Sequence, residues 1–288
     1  RYYLGHRLIY KQKTTVAMIN IGHYIEVAIE WLAEKGAGFF DVWNVYVEGV
    51  IDSFQLVLYA IPFYVFISLT ALLAWWKSGK GMGLFTLLGL LLVWGMGFWK
   101  ETMQTLALVL FSTFAALLIG VPLGIWTEKN ERCNRIFRPV LDCMRTMPVF
   151  VFLIPAVLFF GLGTVPGVLA TIVFAMFPVI RFTGLGMRQV PGHVVEAALA
   201  FGATPRQLFF KVQLPLAFPT VLTGINQAVM MSLSMVVVSA MISTGGLGEV
   251  VLEGITQMKI GLGFEGGIAL VILAVILDRI TQGIVRKG

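Results

Sequence analysis

The chain has 288 residues, of which 58% are hydrophobic and only 12% are charged, and its mean hydropathy is +0.88. A soluble domain of this length has too little interior to bury so much apolar surface, so the composition excludes a water-soluble globular protein and indicates a membrane protein. The net charge of +6 does not indicate nucleic-acid binding, because the basic residues fall in short loops between apolar runs, as in membrane proteins.

The first 56 residues lack an uninterrupted apolar core. Residues 1–15 are basic and stay unassigned, since their pattern is not that of a signal peptide (Arg1, Arg7, Lys11 and Lys13). Within residues 16–56, apolar side chains recur at helical spacing from Ile19 to Leu32, and carboxylates line another face (Glu26, Glu30 and Glu34). This region is predicted to form amphipathic helices on the outer membrane interface; the alternative is a docking surface for an extracytoplasmic partner.

Seven apolar stretches follow that are long enough to be candidate membrane spans. Two lie in residues 57–102 and five in residues 103–283: Val57–Trp76, Gly83–Trp99, Met103–Trp126, Met147–Gly161, Val165–Ile180, Ala217–Ile242 and Phe264–Ile280. Glycines and a proline between the fourth and fifth predict a tight turn and a helical hairpin. The sequence therefore predicts an all-α integral membrane protein, a polytopic bundle of about seven transmembrane helices.

Basic residues set the expected orientation. We take the polar loop 184–216, between the fifth and sixth spans, to be cytoplasmic. Of the basic residues after residue 15, only three then lie outside: Lys35, Lys100 and Lys259. Fourteen then lie inside: Lys77, Lys80, Lys129, Arg132, Arg135, Arg138, Arg145, Arg181, Arg188, Arg206, Lys211, Arg279, Arg286 and Lys287. The positive-inside rule favours this arrangement, with the C-terminus also cytoplasmic, although the basic first residues fall on the other side.

Loop 184–216 contains the most informative sequence, EAALAFGATPRQLFFKVQLP from Glu196 to Pro215. The helix-forming Glu196 and its two alanines suit a short helix that approaches a partner closely, and Gly202 permits a sharp turn. Thr204 and the following proline are typical of the first residues of a second helix. The predicted element is a helix-turn-helix protrusion built from Glu196, Ala197, Ala198, Gly202, Ala203, Thr204, Pro205 and Arg206. A plain solvated loop is the alternative.

The pattern of that segment resembles the "EAA" loop of importer-type ABC transporter permeases, and we call residues 184–216 the EAA loop. Further stretches resemble the permeases of glycine betaine/proline betaine ABC importers, which have the type I permease fold. They are Thr146–Gly167, Arg181–Pro191, Gly224–Ser243, Gly245–Ile255 and Leu277–Gln282. Together with the EAA loop they cover most of residues 103–282, whereas the first hundred residues match more loosely.

The resemblance implies a transport subunit of a bacterial inner membrane, with alternating access and no enzymatic activity of its own. The EAA loop would dock onto a separate ATP-binding subunit, which would hold ATP and Mg²⁺. The chain itself contains no GxxxxGK[ST] phosphate loop, and no cofactor is expected in it. Other implied partners are an extracytoplasmic substrate-binding protein, membrane lipid and a second permease copy. A homodimer is the simplest arrangement for that second copy.

The sixth span is the most polar one, with Asn226, Gln227, Ser232 and Ser234. Polar groups are costly in lipid, so these side chains line a translocation path or bond neighbouring helices. Three scattered histidines and two cysteines without CxxC spacing predict no metal site. Two other functions stay open: import of another quaternary amine or amino acid, and transport by a stand-alone secondary carrier.

Overall fold

The computed structural model describes residues 21–287, with side chains throughout except at 21–34, 36, 37, 39, 41, 131, 145 and 285–287. The predicted basic segment 1–15 lies outside the described residues, as do the side chains of the predicted amphipathic pattern at 19–32. All regular elements in the described range are helical. The predicted all-α class is therefore confirmed.

The helices follow one another with short turns. In chain order they are α1 (Ile21–Ala60), α2 (Phe63–Ser78), α3 (Lys80–Gly95), α4 (Trp99–Lys129), α5 (Glu131–Thr146), α6 (Leu153–Phe160), α7 (Thr164–Arg188), α8 (Gly192–Ala200), α9 (Pro205–Gln207), α10 (Leu214–Ser239), α11 (Leu247–Thr256) and α12 (Ile260–Lys287). A 3₁₀ turn precedes α6 (Val149–Phe152), a second one follows α10 (Ala240–Ile242), and a π-helical turn joins α9 to α10 (Leu208–Gln213).

Four helical stretches in the described part of the chain are individually long and apolar enough to cross a membrane. They are Trp99–Lys129, Thr164–Arg188, Pro205–Ile242 and Ile260–Ile284, which contain four of the seven predicted spans. Counting each of two bent helix pairs as one span raises the number to six. The count of about seven predicted from the sequence is thus higher than the four to six found within residues 21–287.

The predicted span Val57–Trp76 is broken at Pro62. Proline lacks the N–H that a helix needs at that point, and it disfavours helical geometry at the residue before it. Accordingly α1 ends at Ala60, and the segment Val42–Ala60 makes an angle of 91° with Phe63–Ser78. The two segments therefore do not form one straight span.

The other two differences concern short helices. The predicted span Met147–Gly161 consists of a 3₁₀ turn and the eight-residue α6, and it is bent by 119° from the preceding helix. The predicted span Gly83–Trp99 corresponds to α3, whose 16 residues end at Gly95. A helix of that length is roughly 24 Å long, shorter than the roughly 30 Å of a bilayer core. The predicted turn after α6 is confirmed, with positive φ at Gly161 and Gly163.

The segment of α1 before Pro62 lies across one end of the bundle. Its Tyr59 hydroxyl donates to the carbonyl of Lys100, at the start of α4, and its Asn44 amide donates to the carbonyl of Phe160, at the end of α6. Ile51, between them, is 1% exposed and belongs to the core. This is the position expected of an interfacial helix, and its location at the membrane surface stays a prediction.

Glycines bring α4, α7 and α10 close together at the centre of the bundle. A Cβ at Gly124 of α4 would lie 2.7 Å from Cβ of Thr183, and one at Gly224 of α10 would lie 2.7 Å from Cβ of Phe182. Small residues at helix crossings allow the two backbones to approach closely. In lipid the hydrophobic effect does not drive helix association, so this close van der Waals packing contributes to it. These three helices form the frame to which the EAA loop is attached.

Contacts between helix ends show which of them lie at the same end of the bundle. At one end, Ser78 donates to the carbonyl of Arg279 over 2.6 Å, and Arg188 pairs with Glu128 at 2.7 Å. At the other end, the amide of Gly163 donates to the carbonyl of Ile242. The first end contains Arg188 and Arg279, which are both expected to be cytoplasmic, and we call it the loop end. The second is the outer end.

Candidate functional site

The EAA loop projects from the loop end of the bundle between α7 and α10. It consists of α8, a turn at residues 201–203, the short helix α9 and the π-helical turn. The sequence folds this way because Pro191 precedes α8 and ends α7, while its fixed φ of −63° suits the residue before a helix. The observed element is the helix-turn-helix that the sequence predicts.

The turn depends on Gly202 and Thr204. Gly202 has φ +80°, a left-handed conformation that residues with a Cβ rarely adopt. The Thr204 amide donates to the side-chain oxygen of Gln207 at 2.9 Å, and the Gln207 amide donates to the Thr204 hydroxyl at 3.4 Å. This reciprocal capping box starts α9, with Pro205 in its first turn. The predicted cap and turn are confirmed, whereas the docking role of these residues stays a prediction.

Most of the predicted docking residues are solvent-exposed. Glu196, Ala197, Gly202, Thr204, Pro205 and Arg206 are exposed, and Ala198 and Ala203 are half-buried. Sequence reasoning missed Phe201, whose side chain is 92% exposed at the tip of the turn. The available signal was the large aromatic residue directly before Gly202, at the predicted turn. Together these residues present an apolar tip beside a carboxylate and a guanidinium, a surface suited to a partner's cleft.

The base of the EAA loop is fastened to the bundle. The Lys129 ammonium lies 4.0 Å from the ring centroid of Phe209, which joins the end of α4 to the π-helical turn. The Thr220 hydroxyl donates to the Gln189 side-chain oxygen at 3.0 Å, which joins α10 to the end of α7. The base of the EAA loop is thus in direct contact with α4 and α10 and continues α7.

The predicted path residues divide into two pairs. Asn226 donates to the Asp278 carboxylate at 3.4 Å and accepts a hydrogen bond from the Thr281 hydroxyl. Ser232 is fully buried and its hydroxyl lies 3.0 Å from that of Thr113. These two side chains thus bond α10 to α12 and to α4, the role of polar groups between membrane helices.

Gln227 and Ser234 are exposed, unlike the other pair. They stand seven residues apart on α10, which places them two turns apart on the same face. Ser234 donates only to the carbonyl of Met230 in its own helix. An exposed glutamine in a membrane span is costly if it faces lipid. Contact of this face of α10 with water or with another protein surface would avoid that cost.

Sequence reasoning also missed the polar contacts at the outer end. The Gly246 amide donates to Gln104 at 3.1 Å, and the Leu247 amide donates to the Thr105 hydroxyl at 2.8 Å. These bonds hold the turn before α11, where Gly245 and Gly246 both have positive φ, against the start of α4. Gly245 and Gly246 thus form the turn that precedes α11.

The family model for "Binding-protein-dependent transport system inner membrane component" matches residues 120–287. The chain is 47% identical over 271 residues to the glycine betaine/proline betaine transport system permease protein ProW of Escherichia coli, covering 94% of this chain and 77% of that protein. It is 48% identical over 273 residues to the glycine betaine transport system permease protein OpuAB of Bacillus subtilis, covering 93% and 95%. It is also 48% identical to the glycine betaine/carnitine transport permease protein GbuB of Listeria monocytogenes, covering 95% and 98%.

Among solved structures, the chain is similar in fold to an inward-facing methionine ABC transporter, MetNI. The TM-score is 0.60 at 22% identity, covering 66% of this chain and 95% of that one. The predicted type I permease fold and the predicted family resemblance are both confirmed. This chain belongs to the family of binding-protein-dependent transport system inner membrane components.

Proposed function

We propose that this chain is the permease subunit of an ATP-driven importer of glycine betaine, proline betaine or a related compatible solute. The observation that carries the proposal is the exposed helix-turn-helix of the EAA loop at one end of an apolar bundle. The substrate is inferred from the names of relatives that are 47% and 48% identical over most of the chain. Related permeases named for carnitine and for trimethylamine N-oxide support the class of methylated amines.

The EAA loop would dock into a cleft of a separate ATP-binding subunit. Phe201 would be the apolar anchor, because exposed aromatic groups at the centre of a contact carry much of its free energy. Glu196 and Arg206 would form the polar rim. ATP and Mg²⁺ would bind to that partner, and this chain would convert the partner's motion into movement of α10 without covalent chemistry.

The loop end would face the cytoplasm, with the C-terminus on the same side. Support comes from the fourteen basic residues assigned there against three outside. Two of these basic residues, Arg279 and Arg188, contact Ser78 and Glu128 at the same end of the bundle. An extracytoplasmic binding protein would deliver the solute at the outer end, where α1 lies across the helix ends.

The exposed polar face of α10 would meet a second copy of this chain across a water-filled path. Gln227 and Ser234 would line that path, because both are exposed and neither forms a hydrogen bond to a neighbouring helix in the part of the chain that the structure describes. Asn226 and Ser232 would instead hold α10 in position. A homodimer is the arrangement that places two such faces opposite each other.

Exchange of Gln227 for leucine, together with Ser234 for alanine, is expected to lower solute uptake about fivefold or more with normal amounts of protein. Loss of one hydrogen bond to the solute or its water corresponds to about 1 kcal/mol. The matched variant is Asn226→Leu, which removes a bond between α10 and α12 and is expected to lower thermal stability instead. Unchanged uptake in the double variant, measured at equal protein levels, would reject the path role.

Uptake of labelled glycine betaine into proteoliposomes tests the proposal as a whole. The permease is reconstituted with its ATP-binding subunit and binding protein, with and without ATP. Uptake only with ATP and both partners is the expected result. Uptake without ATP would overturn the importer proposal in favour of a secondary carrier. Coupled ATP hydrolysis with carnitine or an amino acid, but not with betaine, would retain the importer and replace the substrate.

A further inference from the structure

An open cavity of about 490 Å³ lies at the loop end, between the α2–α3 hairpin and α12. Its polar side is formed by Lys77, Ser78, Arg279 and Gln282. The hydrogen bond of 2.6 Å from the Ser78 hydroxyl to the Arg279 carbonyl joins the two walls. The cavity is remote from the EAA loop and from the proposed path residues in sequence, and neither role accounts for it. We call it the α3–α12 cleft.

The cleft changes from polar to apolar along its length. Phe85 and Met82 of α3 line it, as does Val275 of α12. Because α3 starts at the loop end and α12 finishes there, these residues lie deeper toward the middle of the bundle than Lys77 and Arg279. The cleft therefore has cations at its mouth and hydrocarbon side chains below them.

The two cations of the cleft have no carboxylate partner among the described residues. The ion pairs in that part of the chain are Arg188 with Glu128 and Lys259 with Glu253. Asp278, next to Arg279 in sequence, accepts two bonds of 2.7 Å from Gln282 and one from Asn226. Its carboxylate thus accepts hydrogen bonds from two side-chain amides, and among the described residues it forms no ion pair with Lys77 or Arg279. The Lys77 ammonium instead lies 4.8 Å from the ring centroid of Trp76.

The surroundings place the mouth of the cleft at the depth of lipid headgroups. Trp75 and Trp76 are 54% and 68% exposed in the last turns of α2. Tryptophans at helix ends concentrate at membrane–water interfaces. One and two turns earlier, Leu69, Leu72 and Leu73 are also exposed, as expected for a surface in contact with acyl chains.

We propose that the α3–α12 cleft binds one anionic phospholipid from the inner leaflet. Lys77 and Arg279 would hold its phosphate, and an acyl chain would run along Phe85 and Val275. Charge complementarity at the mouth and the apolar lower part support a lipid rather than a soluble anion, because a free phosphate would leave the lower part without a ligand. Such a lipid would link the α2–α3 hairpin to α12.

Native mass spectrometry of the full chain in detergent tests the site with phosphatidylglycerol and phosphatidylcholine. Lys77→Gln with Arg279→Gln is expected to weaken phosphatidylglycerol binding about 25-fold, at about fivefold per cation removed. The matched control removes two exposed cations of the same end outside the cleft, Arg132→Gln with Arg135→Gln, and is expected to retain binding. Equal binding of the two lipids, or full retention in the cleft variant, would overturn the proposal.

A second pair of variants tests the cleft without changing charge. Gly81 lines the cleft, and a Cβ added there meets nothing within 4 Å. Gly81→Leu is therefore expected to place its side chain in the cleft. It is expected to abolish phosphatidylglycerol binding, whereas Gly95→Leu, equally free of contacts but at the other end of α3, is expected to retain it. Binding that survives Gly81→Leu, or that millimolar inorganic phosphate displaces, would contradict a lipid site. The readout is lipid binding, so it is independent of transport.

Discussion

Replacement of Gly202 by valine is expected to lower ATP-driven uptake at least about tenfold while the bundle stays assembled. Gly202 has φ +80°, and a β-branched residue in that conformation costs roughly 1–3 kcal/mol. A Cβ at this position meets open space, so the effect comes from the backbone turn alone. The turn would relax and move Phe201 away from the position in which we propose that it docks. Uptake into proteoliposomes and co-purification of the ATP-binding subunit measure the result.

The same loop offers a matched control for this variant. Gly192 is also exposed, has no contact within 4 Å of an added Cβ and has no positive φ. Gly192→Val is therefore expected to retain uptake and the complex. Phe201→Ala, which removes the exposed anchor without straining the turn, is expected to weaken the complex about tenfold or more. Normal uptake and normal co-purification in both Gly202→Val and Phe201→Ala would exclude the docking role.

Gly254→Leu is expected to destabilise the outer end severely. A Cβ at Gly254 of α11 would lie 2.3 Å from Cα and 2.4 Å from N of Gly263 in α12. Backbone atoms cannot move aside as a side-chain tip can, so α11 and α12 would have to separate. Overpacking of cores costs typically 1–3 kcal/mol, and we expect a loss of about 3 kcal/mol or more here. Heating followed by fluorescence-detected size-exclusion chromatography measures the loss as a lower melting temperature.

Gly261→Leu provides the comparison for Gly254→Leu. It makes the same exchange near the start of α12, where an added Cβ meets nothing within 4 Å. Its melting temperature is expected to equal that of the unmodified chain. Equal melting temperatures for both variants would show that the close approach of Gly254 to Gly263 contributes nothing to stability.

Local sequence patterns predicted the elements whose form depends on neighbouring residues. Long apolar runs predicted the helices that contain Met103–Trp126, Val165–Ile180, Ala217–Ile242 and Phe264–Ile280, because length and hydropathy suffice to recognise a spanning helix. Gly202 and Thr204 predicted the turn and the cap of the EAA loop, because backbone conformation and capping are local properties.

Features that depend on packing between distant segments could not be predicted. Membrane helices tolerate proline, so Pro62 alone did not distinguish a slight kink from the observed break of 91°. Contacts of α1 with Lys100 and Phe160 accompany that break, and they join residues far apart in sequence. Likewise, the partner of Asn226 is Asp278, 52 residues away, and only the rotation of both helices brings them together.

The EAA loop and the outer end of the bundle are joined by one nearly continuous helical rod. The helical run Pro205–Ile242 has 38 residues, which corresponds to a length of roughly 57 Å. A tilt of about 5° around the loop end would displace the far end of such a rod by about 5 Å. That far end leads into the turn at Gly245, held by Gln104. If the EAA loop docks onto an ATP-binding subunit as proposed, a small rotation there would therefore cause a displacement of several ångströms at the outer end.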